Sequence, residues 1–307
     1  LDCPGYADFS GDGLSALRVG DFAVLAVHGA HGIQVGTDQA WDCATKYGLP
    51  KMIVVNALDR ENTRFDAIVE EARAHFGPKV FPVSLPLNAG PGFNRLLDVM
   101  RSEVVTYATD GSGKYTEEPA TGALAEKVKE LHKQVIEIIA ESDDATMAKF
   151  FDEGGTLSED ELRAGVHGAF QAGTLVPVFA VSAQTNIGIA RLLDIIAKYG
   201  SSPVDRARVP AHDATGAEVE VLLDRPETVV HVFKTLSEPH VGELSFFRVY
   251  SGAVTSNQEL YNASRKVTER LGQLLVANGK NRTQVPRLGA GDIGCVLKLK
   301  DTHTGNT

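Results

Sequence analysis

The chain alternates short, wholly apolar runs with amphipathic stretches, and the two periods predict different elements. Met52, Ile53, Val54 and Val55 follow one another with no polar position between them. A run that short without alternation is a strand buried on both faces, as in parallel sheets. Residues 22–27 and 176–181 read the same way, and residues 79–83 are a further candidate. Between these runs the period lengthens. Phe65, Ile68, Val69, Ala72 and Phe76 fall at helical spacing. A helix over 35–47 stops at Gly48-Leu49-Pro50. Another, of about two turns, runs to Val19 after the Pro4-Gly5 break. Regular alternation of strand and helix predicts an α/β domain built on a parallel sheet.

The alternation breaks over residues 85–175. There Leu124, Val128, Leu131, Val135 and Ile138 form an apolar helix stripe, read as core packing. Amphipathic pieces follow at 145–151 and 158–172, the latter opened by a capping box at Ser158-Glu159-Asp160-Glu161. The expectation is a helical insertion. Residues 201–228, with Pro203, Pro210 and Pro226 among polar residues, read as a linker. Beyond it come short strands over 229–236, 243–250, 266–276 and 293–299, with turns at Ser251-Gly252 and at Gly289 to Asp292. That pattern predicts an all-β barrel. The expected division is an α/β domain over 1–84 and 176–200, the insertion over 85–175, the linker over 201–228 and the barrel over 229–307.

Composition changes this picture little. At 307 residues, 43% hydrophobic and 23% charged, the chain is ordinary globular material for two domains. Its longest apolar runs are far too short to cross a bilayer. Three cysteines without metal-ligand spacing, Cys3, Cys43 and Cys295, argue for a reducing, cytoplasmic setting and small core roles. A net charge of −10 argues against a DNA or general nucleic-acid binder, yet residues 229–307 carry ten Lys/Arg against six Asp/Glu. That basic part alone could meet phosphate. Leu1 leads straight into a strand end, with no initiator Met, basic segment or cleavage pattern. The sequence therefore reads as the middle of a longer protein.

Candidate chemistry gathers where buried strands end, the ligand-binding rim of open α/β sheets. Asn56 and Asp59 follow the run at 52–55. A carboxylate there can accept from both the ring N–H and the exocyclic amine of guanine, a pairing adenine does not offer, while Asn56 ties neighbouring loops. Asp2 and Gly5 follow an apparent strand end, the only one of five Asp-x-x-Gly matches to do so. Asp2 could hold a water on Mg²⁺, and the Gly5 N–H could reach a γ-phosphate with no side chain in the way. Ser182 and Ala183 end the run at 176–181, where the Ala183 N–H could meet guanine O6. His28 and His31 share a glycine-rich loop with no third ligand, so a solvated loop is the better reading. Trp41 reads as core.

Asp2-Cys3-Pro4-Gly5-Tyr6, Asn56-Ala57-Leu58-Asp59, Val181-Ser182-Ala183, the insertion, and the barrel segments 241–252 and 291–305 together resemble the elongation factor G family. The resemblance covers essentially the whole chain. It implies a P-loop-NTPase-like G domain, incomplete at its N-terminus, followed by a translation-factor barrel. It implies a GTPase with GTP or GDP and Mg²⁺ as ligands and the ribosome, rRNA and ribosomal proteins alike, as partner through the barrel and the insertion. Asp2, Pro4, Gly5, Asn56, Asp59, Ser182 and Ala183 would contact nucleotide, with Asp2 serving Mg²⁺ through water. Three departures stand out. No Gly-x-x-x-x-Gly-Lys-Ser/Thr occurs, so the phosphate loop would lie upstream of Leu1 and the fragment alone would be inactive. Tyr6 stands where the family has its water-positioning His. Ala57 stands where the family has the Lys that braces the base. These point to an elongation factor G-like paralogue. Alternatives are a paralogue that binds the ribosome with little turnover, or a ribosomal GTPase of the peptide-release or ribosomal protection type.

Overall fold

The computed structural model describes residues 1–140, 159–213, 215–239 and 242–307. It divides into two compact units, Phe22–Gly200 and Leu1–Asp21 with Ser201–Thr307. The expected pieces at 145–151 and at Ser158 lie outside the described residues.

Helix α1 (Ser10–Val19) belongs to the second unit. The first unit is organised on strands β1 (Ala23–His28), β2 (Lys51–Asn56), β3 (Val80–Pro82) and, later in the chain, β8 (Val176–Ala180). They form one parallel sheet in the order β1-β2-β8-β3. The two inner strands are buried along their length, as their unbroken apolar runs predict. The run at 22–27 was expected to be buried on both faces too, but β1 lies at the sheet edge and alternates buried and exposed residues. Helices α2 (Val35–Lys46) and α3 (Phe65–Phe76) keep the predicted bounds to within a residue. Trp41 of α2 stacks on Phe76 of α3 with ring centroids 4.0 Å apart, and the Lys51 and Lys79 ammoniums lie 5.0 and 5.3 Å from the indole. The ring is 8% exposed, a core residue as its position suggested.

The segment expected to be a helical insertion opens differently. Strands β4 (Ser84–Pro86), β5 (Arg95–Asp98), β6 (Glu103–Tyr107) and β7 (Tyr115–Pro119) form an antiparallel sheet in chain order. Strands of three to five residues are too short to display a period, and their apolar residues come as adjacent pairs, Leu96-Leu97 and Val104-Val105. Only then do helices α4 (Ala123–Ala140) and α5 (Glu159–Ala172) follow. Val128 and Val135 of the α4 stripe are buried, and Leu124, Leu131 and Ile138 are partly buried and pack against the same core, so the stripe is core. Gly165 of α5 lies under Ile139, where a Cβ would sit 2.4 Å from Cγ2, so the two helices approach at a position only glycine allows. Helix α6 (Ile189–Tyr199) completes the unit.

In the second unit the expected linker contains an antiparallel hairpin, β9 (Arg208–His212) with β10 (Glu218–Leu222). The barrel follows: β11 (Val229–Glu238), β12 (Gly242–Ser251), β13 (Ala253–Thr255), β14 (Glu259–Asn262), β15 (Val267–Arg270), β16 (Leu274–Asn278), β17 (Asn281–Val285), β18 (Arg287–Gly289) and β19 (Ile293–Leu297). Its main sheet runs β11-β12-β19-β16-β17, with ladders β13-β18 and β14-β15. The single strand expected over 266–276 is two strands parted around Gly272.

Leu1–Asp21, expected with the α/β domain, clusters with this barrel unit. A buried arginine is one of the ties. Arg248 of β12, 4% exposed, donates to the Val19 carbonyl at 2.5 Å and to Asp21 Oδ1 at 2.7 Å. Tyr250 donates its hydroxyl to the Arg18 carbonyl at 3.2 Å, and Arg206 donates to that of Gly20 at 2.9 Å. The carbonyls at the end of α1, which have no partner within the helix, are thus satisfied from the barrel side. No helix among the described residues is long and apolar enough to cross a membrane. Cys295 is buried, and Cys3 and Cys43 are half-buried free thiols.

Candidate functional site

Strands β1, β2 and β8 end at one rim of the parallel sheet, and the loop after β2 meets the loop after β8 there. In the first, Asn56 Oδ1 accepts from the Ala57 N–H at 2.7 Å and from the Ala183 N–H at 2.9 Å. Both neighbours are N–H groups, so the amide oxygen must face them, and the Nδ2 donor has no acceptor among the described residues. Asn56 therefore ties the two loops together, the task its position suggested. Ala57 sits in the left-handed region at φ 63°, and the turn closes with the Arg60 N–H donating to the Ala57 carbonyl at 3.2 Å. Gly29 of the third loop donates to the Asn56 carbonyl at 2.7 Å.

Asp59 is held from the other side. Ser182, fully buried, donates its hydroxyl to Asp59 Oδ1 at 2.7 Å, and Thr185 donates its hydroxyl to Ser182 Oγ at 2.7 Å. This relay orients the carboxylate while leaving lone pairs on both of its oxygens. Asp59 Oδ2 lies 3.5 Å from Arg60 Nε, and the side chain remains 14% exposed. The result is an acceptor pair fixed in direction at a strand end, with the Asn56 amide donor nearby in sequence. That donor and acceptor set fits the edge of guanine. Thr185 was not singled out from sequence, although its place three residues after Ser182 carries the signal of a hydroxyl turn.

One expectation changes. The Ala183 N–H, expected to face guanine O6, is instead donated to Asn56 Oδ1. Ala183 acts here as a loop closure, tying the loop after β8 to the loop after β2.

Asn56, Asp59, Ser182 and Ala183 thus come together in the Phe22–Gly200 unit, whereas Asp2, Pro4, Gly5 and Tyr6 belong to the other compact unit. Asp2, Pro4, Gly5 and Tyr6 are all exposed, Tyr6 at 80%. A Cβ on Gly5 would meet nothing within 4 Å, leaving its N–H approachable. A Mg²⁺ ion that keeps most of its waters and takes substrate phosphates needs only one or two carboxylates, so a single exposed Asp2 fits an outer-sphere role. His28 and His31 stack at 4.5 Å on the exposed rim, and no group of three or more metal-ligating side chains occurs among the described residues.

Residues 1–202 match the family model for the elongation factor Tu GTP binding domain, and residues 227–307 match that for elongation factor G domain 2. A crystal structure of a protein from Thermus thermophilus is 31% identical over 100% of this chain, with a TM-score of 0.84. The matched region is 43% of that protein's length, so the chain spans less than half of it. With a matched GTP-binding domain running into a matched second domain, the chain belongs to the translational GTPases and is of the elongation factor G type.

Proposed function

We propose that this chain is the nucleotide-binding and second-domain portion of a factor that binds and hydrolyses GTP in association with the ribosome during translation elongation. The observation that carries the reading is the Asp59 carboxylate, oriented by Ser182 and Thr185 at the sheet rim. Asp59 takes the ring N–H and exocyclic amine of guanine, Asn56 offers its amide donor to the ring, and Ala183 closes the loop beside it. Asp2 holds Mg²⁺ through water, and the Pro4-Gly5 turn presents its backbone N–H to the γ-phosphate. Mg²⁺ supplies charge neutralisation to the phosphates. Titration of the full-length protein with GDP, GTP and ADP tests the base reading. Guanine nucleotides are expected to bind at least roughly 100-fold more tightly than ADP, since a site built on paired hydrogen bonds strongly rejects a base lacking them. Equal affinity for ADP removes the proposal. Residues 1–307 alone are expected to bind weakly, and micromolar affinity in that fragment would contradict the division of labour.

A second reading is favoured by one residue. Tyr6 can orient a water through its hydroxyl but lacks the basic ring nitrogen of an imidazole. Slow turnover follows, and with it a factor that binds the ribosome with little hydrolysis. Tyr6→His is expected to raise ribosome-stimulated phosphate release by about 100-fold, the lower end of what a positioned acid–base group contributes. Brisk release by the unsubstituted protein eliminates this second reading.

A further inference from the structure

The sheet β4-β7 has no part in the base contacts described above, yet its loops reach both loops that make them. Gly90, in the β4–β5 connection, donates its N–H to the Leu58 carbonyl at 2.7 Å, one residue before Asp59. On the other side, Asn186 donates its Nδ2 to the Gly111 carbonyl at 3.3 Å, at the tip of the β6–β7 hairpin. That contact is tight. A Cβ on Gly113 would lie 2.5 Å from Asn186 Nδ2, so the hairpin backbone lies directly on the amide. Asn186 belongs to the short loop closed by the paired Ser182 and Ile187 backbone bonds, each 2.9 Å, which also contains Ala183 and Thr185. The hairpin tip is itself ordered, with the Ser112 N–H on Asp110 Oδ1 at 2.9 Å and the Ala108 N–H on the Lys114 carbonyl at 2.8 Å. A rigid turn therefore presses on the loop that aims Ser182, and Ser182 aims Asp59.

We infer that Asn186, seated against the β6–β7 hairpin tip, is a positioning residue for guanine recognition, acting through Ser182 and Asp59 without touching the base. The inference rests on the base site proposed above. Removing the amide frees the Ser182–Ile187 loop to shift, and the carboxylate loses its fixed direction toward the exocyclic amine. The backbone at Asn186 is left-handed, φ 59°, a conformation asparagine tolerates and alanine does not. Asn186→Gly is therefore the informative variant, since glycine keeps the backbone and deletes only the side-chain contact.

The test is the ratio of GDP to inosine diphosphate affinity in the full-length protein, because inosine lacks the exocyclic amine. Losing one neutral hydrogen bond corresponds to about 2- to 12-fold. Asn186→Gly is expected to weaken GDP by about that factor and IDP by less, since inosine keeps the ring N–H and lacks only the amine, so the GDP:IDP ratio falls. Gly113→Ala, which forces the hairpin off Asn186, is expected to lower the ratio in the same direction. Equal losses for GDP and IDP, or no change in either variant, overturn the positioning role. An unsubstituted protein that binds GDP and IDP equally overturns the base site as well, and so identifies that failure separately.

Discussion

Asp59→Asn is expected to lower GDP affinity of the full-length protein roughly 100- to 1,000-fold, the loss of about two charge-assisted hydrogen bonds. The same change is expected to create measurable affinity for xanthosine diphosphate. The geometry supplies the reason. Ser182 donates to Asp59 Oδ1, so an amide at this position keeps its oxygen on that hydroxyl and turns its nitrogen to where Oδ2 now stands. An N–H donor there faces the guanine amine unfavourably and the 2-oxo group of xanthine favourably. The obstacle is Arg60 Nε, 3.5 Å from Oδ2, but that side chain is 60% exposed and free to swing away. Competition against a fluorescent guanine nucleotide gives both affinities. Retained preference for GDP over xanthosine diphosphate would mean that Asp59 does not read the base.

How much of this was legible beforehand follows from what each feature depends on. The inner strands β2 and β8 announced themselves because burial on both faces demands an unbroken apolar run. Helix α3 was readable to the residue, since its buried positions Phe65, Ile68, Val69 and Ala72 repeat at the helical period. Asn56, Asp59 and Ser182 were singled out by position, at the ends of those strands. The β4-β7 sheet was not found, because its strands end at turns before any alternation accumulates. The β9-β10 hairpin was hidden by Pro203, Pro210 and Pro226, which read as connector. The attachment of Leu1–Asp21 to the barrel unit rests on side chains of β12 bonding backbone carbonyls, and a carbonyl leaves no mark in a sequence. Ala183 follows its strand as expected, but its N–H goes to a different acceptor, because only coordinates show which of two acceptors is near.

Arg191→Ala is expected to destabilise the Phe22–Gly200 unit strongly. Arg191 stands one turn into α6, 8% exposed, and gathers three carboxylates from the antiparallel sheet: Asp98 at 3.7 Å, Glu103 at 2.9 Å and Glu117 at 2.5 Å. Burial opposes its charge, and the surrounding carboxylates outweigh that opposition, so its pKa stands above the ordinary value. Burial likewise pushes the Asp98 carboxyl up, against the Arg101 N–H and the Arg191 charge. Removing the guanidinium leaves three mutually repelling acids, one of them buried. Breaking a buried pair costs about 3–5 kcal/mol, and the partial exposure of Glu103 and Glu117 places this case near the lower end. A loss of about 3 kcal/mol shifts the midpoint of a unit this size by roughly 6–12 °C. The chain's single tryptophan, Trp41, is buried in that same unit, so its emission reports this transition selectively. Arg191→Lys should recover only part of the loss, because an ammonium cannot span three carboxylates as a planar guanidinium does. A midpoint unchanged in Arg191→Ala would show that the acids relax into solvent, and that the antiparallel sheet is held on α6 by its apolar contacts alone.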